Sequence, residues 1–463
     1  MVGSLAGTSR QFERRFGDIV LRTAERRLAG PLGSALIEPK VVEVLGILGE
    51  AAGAMVRRDE LFVRCWGNAA AGDDSLNRSV YQLRKALQAI GSQAVSVETV
   101  AAAGYILQVV DSPLAAACDS ARRSWRMGHA GIDQHALSSL EAAIAEHGPA
   151  TADAWGQLAL LQCRAAEYAP LDQCIELARQ CEAAGRTALG IDPLQPDAQV
   201  ALASLCPLYG DWSGRRTRLL DVLAETPDHF PARHELAVLE MATGRVSAAV
   251  PIIAALFEED PFAPLLHYKR GYHLYCLGEH DAMDRVFDNG LQVWPGHPGL
   301  WQGRSMTLAF TGRAAAALAL LDDVPMRPAM PPETIAFHRL ALTALANNDR
   351  ELIARSVSDL HQLAGWQSLA AAAIMYLSAL GDCDHAMKLC EGYYLRDGNA
   401  PVRLRYEPGI EASINDMHRR ATQLLFLPVT ESLREHPRFM RLCERMGLVE
   451  YWNFAAVQPD FLG

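Results

Sequence analysis

One stretch of the sequence concentrates side chains that can form hydrogen bonds with nucleic-acid bases. Residues 73–90 have the apolar spacing of an amphipathic helix. Its buried face is formed by Leu76, Val80, Leu83 and Leu87. Its outer faces carry Asn77, Arg78, Tyr81, Gln82 and Lys85. Because Asn and Gln amides can pair with adenine and an Arg guanidinium with guanine, this helix offers chemistry that can read a DNA major groove.

The sequence lacks the common catalytic and metal-binding patterns. It contains no H-E-x-x-H motif, phosphate-binding glycine loop or nucleophile-elbow motif. Its 14 histidines are spread singly, and its 10 cysteines form no C-x-x-C pair. We therefore predict a protein with free thiols that is not an enzyme and holds no cofactor and no metal ion.

The elements around residues 73–90 predict how this helix is positioned. Short strand-like runs lie within residues 16–37, and Pro39 opens a helix with one apolar face. A second short helix is predicted over residues 58–65, and residues 95–109 read as a β-hairpin. Three helices followed by a hairpin is the plan of a winged helix, whose third helix enters the major groove.

Three segments carry a family resemblance: IEPKVVEVLGILGEAAGAMVRRDELFVRCWGN, then DDSLNRSVYQLRKAL, then VETVAAAGYIL. Together they resemble the OmpR/PhoB-type winged-helix family along its whole length. The run LRKAL and the ETV and GY residues are its most specific markers.

The resemblance implies which residues contact DNA. Exposure and contacts with base edges or phosphates are implied for Asn77, Arg78, Ser79, Tyr81 and Gln82. Phosphate contacts are implied for Arg84 and Lys85, and contacts that anchor the DNA backbone for Arg57 and Arg58. The expected partner is double-stranded promoter DNA, with RNA polymerase contacted by the loop at residues 67–74.

Two features depart from that family's pattern. The family carries an Arg in the wing between the hairpin strands, whereas residues 100–105 here are uncharged. Asp73 and Asp74 also open the third helix. Because phosphate neutralisation supplies much of the affinity for DNA, we expect one domain to bind weakly and a homodimer or a partner to be required. The uncharged wing leaves a second interpretation open, a protein-interaction scaffold whose winged helix does not bind DNA.

Charge is distributed unevenly along the chain. Residues 1–110 carry a net charge of +2, and the remaining residues carry −13. An acidic segment repels the phosphate backbone, which argues against nonspecific nucleic-acid binding by the larger part. Contacts with DNA are therefore expected from residues 1–110.

A 34-residue period organises the middle of the chain. The period is marked by Pro193, Pro227, Pro261 and Pro295, and by Gly210, Gly244, Gly278 and Gly312. Small residues share the register at Ala203, Ala237, Gly271 and Ser305, and large apolar residues follow at Leu219, Ile253, Phe287 and Leu321. This period, with two helices in each unit, is typical of tetratricopeptide repeats. The proline-rich residues 325–332 are expected to break the register as a distorted loop.

Tetratricopeptide stacks bind ligands on a concave surface built from the first helix of each unit. Candidate residues for this groove are Arg233, His267, Arg270, Trp301 and Arg304, with Gln199 and Lys269 beside them. The spacing of the arginines suits a carboxylate-bearing peptide. A cluster of tyrosines either stacks on such a ligand or packs between repeats, and packing is the favoured interpretation for Tyr268, Tyr272 and Tyr275.

The predicted architecture is mainly α, with a winged-helix (α+β) domain at residues 1–110. A tetratricopeptide-like α-solenoid follows at residues 111–430, and a C-terminal cap at residues 431–463. The whole resembles regulators with a CadC-like domain order, but without the membrane span, since no apolar run reaches about 18 residues. This implies a cytoplasmic, sequence-specific transcriptional regulator. Its repeats would sense an unknown protein, peptide or small-molecule effector, or mediate dimerisation.

Overall fold

The computed structural model describes residues 13–67, 73–92, 94–100, 103–109, 113–128, 130–146, 151–169, 171–206, 209–347, 367–395, 397 and 421–463. The chain forms two compact units. Unit 1 comprises Met1–Arg122, His135–Ala159 and Ala183–Ala198. Unit 2 comprises Arg123–Gln134, Leu160–Glu182 and Gln199–Gly463.

Two antiparallel sheets belong to unit 1. The first has four strands in chain order, β1 (Glu13–Phe16), β2 (Ile19–Arg22), β3 (Arg27–Gly30) and β4 (Gly33–Leu36). The second has the order β5-β7-β6, formed by β5 (Val56–Arg57), β6 (Val95–Val100) and β7 (Gly104–Val109). Residue 104 must be glycine, because a Cβ there would lie 2.0 Å from the carbonyl oxygen of Val56. This close approach lets β5 pair with the hairpin, Val56 opposite Tyr105.

Three helices share one apolar core with these sheets. They are α1 (Pro39–Glu50), α2 (Arg58–Trp66) and α3 (Asp73–Ala89). Pro39 opens α1 because the first turn of a helix needs no N–H from its first residue. The predicted stripe of α3 is buried with Val44 and Leu48 of α1 and Leu107 of β7. Each such side chain contributes about 1.5–3 kcal/mol when fully buried. The element order confirms the predicted winged helix.

The helices that follow the sheets are α4 (Pro113–Met127), α5 (Ala130–Glu146), α6 (Ala152–Tyr168) and α7 (Leu171–Ile191). Ion pairs within unit 1 join the first strand to residues of α4 and α6. The carboxylate of Asp153, in the first turn of α6, accepts hydrogen bonds from Arg122 of α4 and, at 3.5 Å, from Arg15 of β1. One carboxylate thus joins three elements.

The rest of the described chain is built from helix–turn–helix pairs. They are α8 (Pro196–Leu205), α9 (Trp212–Glu225), α10 (Phe230–Ala242), α11 (Val246–Glu259), α12 (Pro264–Cys276), α13 (His280–Val293), α14 (Pro298–Phe310), α15 (Ala314–Asp322), α16 (Pro332–Asn347), α17 (Gln367–Ala379) and α18 (Cys383–Leu395). The first helices of successive pairs begin 34 residues apart, from Pro196 through Pro298. The turn glycines Gly210, Gly244, Gly278 and Gly312 all have a positive φ, between 72° and 82°. The pairs are therefore tetratricopeptide-like repeats.

The expected break at residues 325–332 was wrong. Helix α16 begins at Pro332, which lies 34 residues after Pro298 and keeps the register. The adjustment comes earlier, because α15 ends at Asp322 and is shorter than α11 and α13. Pro325 and Pro328 supply no N–H for a continuing helix. The loop after α15 is therefore longer by as many residues as α15 is shorter, and the next repeat begins in the same 34-residue register.

The small and large repeat positions meet as the period predicts. A Cβ added to Gly271 of α12 would lie 2.4 Å from the ring of Phe287 on α13. Phe287 is fully buried and its ring also lies against Gly303 of α14, where an added Cβ would be 2.6 Å away. Glycine at residue 271 thus lets one aromatic ring fill the space between three helices.

The C-terminal tail contacts helices far back in unit 2. It contains the helices α19 (Glu431–Arg434), α20 (Phe439–Arg445) and α21 (Leu448–Phe454), together with three short 3-10 helices at Ala421–Phe426, Pro428–Thr430 and Asp460–Leu462. The indole of Trp212 donates to the carbonyl of Met446 at 2.7 Å, and the indole of Trp452 donates to that of Thr243 at 2.9 Å. Arg438 also pairs with Glu391 of α18 at 2.6 Å. The predicted cap therefore joins the last described repeat to the turns of earlier ones.

Two features are absent from the described residues. Among these residues no helix combines the length and apolar character needed to cross a bilayer. The described part of the chain also holds no group of three or more His, Cys, Asp and Glu side chains arranged to bind a metal ion.

Candidate nucleic-acid interface

Helix α3 presents a polar face outside the core of the winged helix. The side chains of Asn77, Arg78 and Lys85 are exposed, and Tyr81 is 66% exposed although it is a large aromatic residue. Gln82 is half-buried. An exposed tyrosine and arginine on one helix form a surface that can contact a groove without moving the core.

Ser79 does not belong to this exposed face. It is 6% exposed, and its hydroxyl donates to the carbonyl of Ser75 at 3.0 Å. Ser79 follows Leu76 by three residues and precedes Leu83 by four, so it lies on the buried stripe of α3. Its expected exposure was therefore wrong, and its hydroxyl satisfies the helix backbone instead.

Glu38, just before α1, engages two of the candidate DNA-contacting residues. Its Oε1 accepts a hydrogen bond from Nε2 of Gln82 at 2.9 Å and lies 3.6 Å from Nη2 of Arg78. The pair with Arg78 is open to solvent, with 72% of the arginine side chain exposed. Such exposed pairs are worth at most about 1 kcal/mol, so a phosphate or a base can displace Glu38.

A hydrogen-bonded triad fixes Asn77. Its Oδ1 accepts from the hydroxyl of Tyr105 at 2.8 Å and from Nη2 of Arg58 at 3.1 Å. Nη1 of Arg58 also donates to the Tyr105 hydroxyl at 2.8 Å. With both acceptor positions of Oδ1 occupied, Asn77 has its amide N–H groups left to offer. Bidentate pairing with adenine needs an oxygen acceptor too, so this arrangement favours a donor role for Asn77.

Arg84 ties α3 to the hairpin. Its guanidinium donates to the carbonyl of Val97, at 3.0 Å from Nε and 2.6 Å from Nη2, and to the hydroxyl of Thr99 at 2.8 Å. Although the side chain is exposed, its guanidinium donates three hydrogen bonds within the domain. This geometry orients the hairpin relative to α3, while Lys85, the next residue, stays exposed and is better placed for a phosphate.

The remaining predicted contacts divide by location. Arg57 is exposed and pairs with Asp59 at 3.1 Å, which lowers the pKa of Asp59 and raises that of Arg57. The loop at residues 67–74, predicted to contact RNA polymerase, lies largely outside the described residues, and the wing tip at residues 101 and 102 lies wholly outside them. Arg57, Arg58 and Lys85 thus supply the exposed or half-buried cations around α3.

Four of the five predicted groove residues are used inside the repeats. Arg233 pairs with Glu259 at 2.6 Å, and Arg304 pairs with Asp284 and Asp288. Both ring nitrogens of His267 face carbonyls, and Trp301 is almost fully buried. Arg270 is half-buried and makes no hydrogen bond within the described part of the chain. These four residues, all but Arg270, therefore connect the first helices of the repeats to the second helices.

The sequence analysis missed three buried polar residues on the first helices of these repeats. His234 and Glu235 lie on α10, and His273 lies on α12, all three buried. The carboxylate of Glu235 pairs with the buried Arg215 at 3.0 Å. A polar residue at a position buried in the 34-residue register is the signal that could have identified them. Scattered histidines alone gave no such signal.

Comparisons with known proteins identify a family model for one segment of the chain. A family model described as "Transcriptional regulatory protein, C terminal" matches residues 34–107. No curated protein matches the chain.

Solved structures of repeat proteins resemble the fold at low identity. A tetratricopeptide repeat protein from Parabacteroides merdae is 17% identical, with 59% of this chain and 99% of that one covered and a TM-score of 0.35. A monomeric mutant of IFIT1 with Gppp-AAAA is 14% identical, with 76% and 88% covered and a TM-score of 0.40. Yeast Tom70 is 11% identical, with 88% and 84% covered and a TM-score of 0.33. Because these values are low, no argument about function rests on them.

The fold and the matching segment lead to one assignment. The match covers α1, α2, α3 and most of the hairpin, which are the elements that form the candidate interface. Residues 34–107 therefore belong to the winged-helix family of transcriptional regulatory protein C-terminal domains, and in this chain the domain is joined to tetratricopeptide-like helical repeats.

Proposed function

We propose that the protein is a transcriptional regulator that binds specific double-stranded promoter DNA through α3. The observation that carries this proposal is the exposed row Asn77, Arg78, Tyr81 and Lys85 on a helix whose opposite face is buried in a winged-helix core. In such domains this helix enters the major groove. Arg78 would read guanine, and Lys85, Arg57 and Arg58 would contact phosphates.

Modest positive charge suggests that two copies act together. Residues 1–110 carry a net charge of +2, and Glu38 and Asp59 already pair with two of the arginines near α3. Fewer phosphate contacts mean less counterion release and weaker binding. A homodimer on two half-sites about one helical turn apart would add the contacts of both domains. The loop at residues 67–74 would contact RNA polymerase in this complex.

The repeats would supply the input to the regulator, by sensing an effector or by mediating dimerisation. The acidic character of residues 111–463 supports a role away from the DNA phosphates. No enzymatic step is part of the proposal. Promoter binding requires access to genomic DNA, so we place the protein in the cytoplasm.

The direct test selects genomic DNA fragments with the purified full-length protein. Wild type should enrich a few shared sequences, and Arg78→Ala should lose them, because a bidentate arginine contact discriminates by about 1–3 kcal/mol. Arg179→Ala is the matched control, since Arg179 is an exposed arginine of α7. Equal enrichment by Arg78→Ala and wild type would contradict the role given to α3.

A second candidate function is a protein-interaction scaffold whose winged helix does not bind DNA. The observation that favours it is the engagement of Arg78 and Gln82 by Glu38, together with the uncharged residues 100–105. A folded protein that enriches no fragment at about 50 or about 200 mM salt, alone or as a dimer, would support the scaffold.

A further inference from the structure

A cluster of polar and aromatic residues lies on the first helices of two neighbouring repeats. Tyr268 and Lys269 of α12 occupy the same repeat positions as His234 and Glu235 of α10, 34 residues earlier. One turn further along α12 lies His273. The positive charge of Lys269 acts on both histidines, lowering their pKa values in addition to the larger effect of burial. Lys269 and His273, four residues apart, therefore lie on one face of α12, near enough to His234 for the charge of Lys269 to act on it.

Lys269 is the unbalanced charge of this cluster. Glu235, the acid whose charge acts on Lys269, is matched by the buried Arg215 at 3.0 Å. The ammonium of Lys269 makes no hydrogen bond or ion pair in the described part of the chain, and its Nζ lies 5.5 Å from the centre of the Tyr268 ring. Burial lowers the pKa of Lys269 to about 8, which leaves most of it charged at pH 7. A half-buried ammonium without an acceptor is costly unless an anion joins it.

Two histidines add further groups without partners. His234 is 3% exposed, and neither of its ring nitrogens makes a hydrogen bond, although Nδ1 lies 3.4 Å from the Glu235 carboxylate. His273 is 2% exposed, and its Nδ1 makes none. Burial lowers their pKa values to about 4 and about 3, so both rings are neutral at pH 7 and can donate one hydrogen bond each. Buried polar groups are normally satisfied, and two unsatisfied ones beside an unpaired ammonium indicate a missing ligand.

The surroundings define the size and apolar part of that ligand. The rings of Tyr268 and Tyr272 meet edge to face with centroids 5.0 Å apart, and Tyr272 continues to Phe287 at 6.3 Å. The ring of Trp125 lies 5.1 Å from that of His234. Because His234 and His273 are nearly sealed from solvent, the cluster favours a small molecule over a peptide chain.

We propose that the cluster binds a small organic carboxylate, with its carboxylate on Lys269, His234 and His273 and its apolar body against Tyr268 and Tyr272. This inference rests on the proposed function, because it names the chemical class of the effector. It replaces the peptide expected from Arg233 and Arg304, whose guanidinium groups are occupied within the repeats.

The test measures benzoate binding to the full-length protein by calorimetry, with acetate and inorganic phosphate as comparison anions. Lys269→Met keeps the length of the side chain and removes its charge. Removing a half-buried unpaired charge should not unfold the protein, and a thermal melt checks this. Lys388→Met is the matched control, since Lys388 is an exposed lysine of α18. We expect benzoate to bind wild type and Lys388→Met equally, and Lys269→Met at least about tenfold more weakly, which corresponds to about 1.4 kcal/mol.

A second measurement needs no variant. Acetic anhydride at pH 8 acetylates accessible amines, and peptide mapping then reports Lys269 and Lys388 separately. Benzoate should slow the acetylation of Lys269 several-fold and leave that of Lys388 unchanged. Absence of benzoate binding to wild type, undiminished binding to Lys269→Met, or a preference for phosphate would overturn the proposal. DNA selection without benzoate binding would remove this site alone, whereas benzoate binding without DNA selection would remove the proposed regulator and leave the site.

Discussion

At the scale of single residues, the interface is defined by which hydrogen-bonding groups the protein leaves available. Asn77 and Arg84 look alike in the sequence, as polar residues of an amphipathic helix. In the structure, the oxygen of Asn77 is held by Tyr105 and Arg58, and Arg84 holds the hairpin through Val97. Arg78, Tyr81 and Lys85 are the residues of α3 that remain most available to DNA. Their roles thus follow from neighbours distant in sequence.

The substitution Glu38→Gln tests how Glu38 competes with DNA. It removes a negative charge next to Arg78 and Gln82 while keeping the shape of the side chain. We expect DNA binding about two- to fivefold tighter, because an exposed ion pair of at most about 1 kcal/mol no longer has to break. Fluorescence anisotropy with a labelled duplex from the selected set measures the effect. The control Glu176→Gln, an exposed acid of α7, should change nothing.

A weaker complex with Glu38→Gln would show that Glu38 itself contacts the DNA. A carboxylate can accept a hydrogen bond from cytosine, so that result would reassign Glu38 as a reading residue.

At the scale of elements, the spacing of Pro and Gly predicted the repeats well. The helix starts at Phe230, Pro264 and Pro298 follow from the 34-residue period, whereas the start at Pro332 was missed because the nearby prolines were expected to break the register. Spacing does not say which side of a helix a residue faces. Arg304 and His267 were expected in the groove, but they face the second helices. Arg304 pairs there with Asp284, and His267 contacts the Val286 carbonyl. Those partners belong to another helix, which no periodicity within α12 or α14 reveals.

Gly271→Ala tests the close approach of α12 and α13. The added methyl group would lie 2.4 Å from the Phe287 ring, so the ring or the helix must move. We expect a loss of about 1–3 kcal/mol in the free energy of unfolding, measured by urea denaturation. Gly190→Ala is the control, because a Cβ at that exposed position of α7 meets nothing within 4 Å. The control should be neutral or stabilise by up to about 1 kcal/mol. Equal effects of the two substitutions would refute the tight contact.

Buried histidines predict acid sensitivity of the repeats. Burial lowers the pKa of His273 to about 3 and that of His338 to about 4, whereas an unfolded histidine titrates near its ordinary 6.5. The unfolded state therefore binds more protons between these values, and stability falls as the pH drops from about 6.5 toward 4. The slope is on the order of 1 kcal/mol per pH unit for each histidine.

Urea denaturation at pH 7, 6 and 5 measures this slope. His273→Asn should reduce it, because the substituted residue takes up no proton on unfolding. His280→Asn, at an exposed position of α13, serves as the control and should leave the slope as in wild type. A slope unchanged by His273→Asn would show that His273 is charged in the folded protein.

At the scale of the whole molecule, the tail at residues 421–463 shows where sequence reasoning ends. The tail was expected to cap the stack, and it does contact α18 through Arg438. It also binds turns more than 200 residues earlier, at Trp212 and Thr243. Such long-range hydrogen bonds have no periodic signal, since each is made once. The predicted winged helix, by contrast, was found because all of its elements are local and carry recognisable patterns.

Trp452→Phe tests the contribution of the tail to the middle repeats. It removes the indole N–H that satisfies the Thr243 carbonyl. We expect a loss of about 1–3 kcal/mol, with faster hydrogen exchange at the turn between α10 and α11 as the readout. Phe454→Leu is the control, because Phe454 is 80% exposed and its change should stay within about 0.5 kcal/mol. Faster exchange confined to the tail would show that the tail does not support these repeats.

The central claim is that α3 gives this protein sequence-specific binding to DNA. The most direct measurement is the ratio of two dissociation constants for the full-length protein at about 150 mM salt, for a selected duplex and for a scrambled duplex of the same composition. We predict a preference of about 10³-fold or more for the selected duplex, as specific regulators show, and its collapse in Arg78→Ala. A ratio near one for the wild-type protein would contradict the account and favour the scaffold.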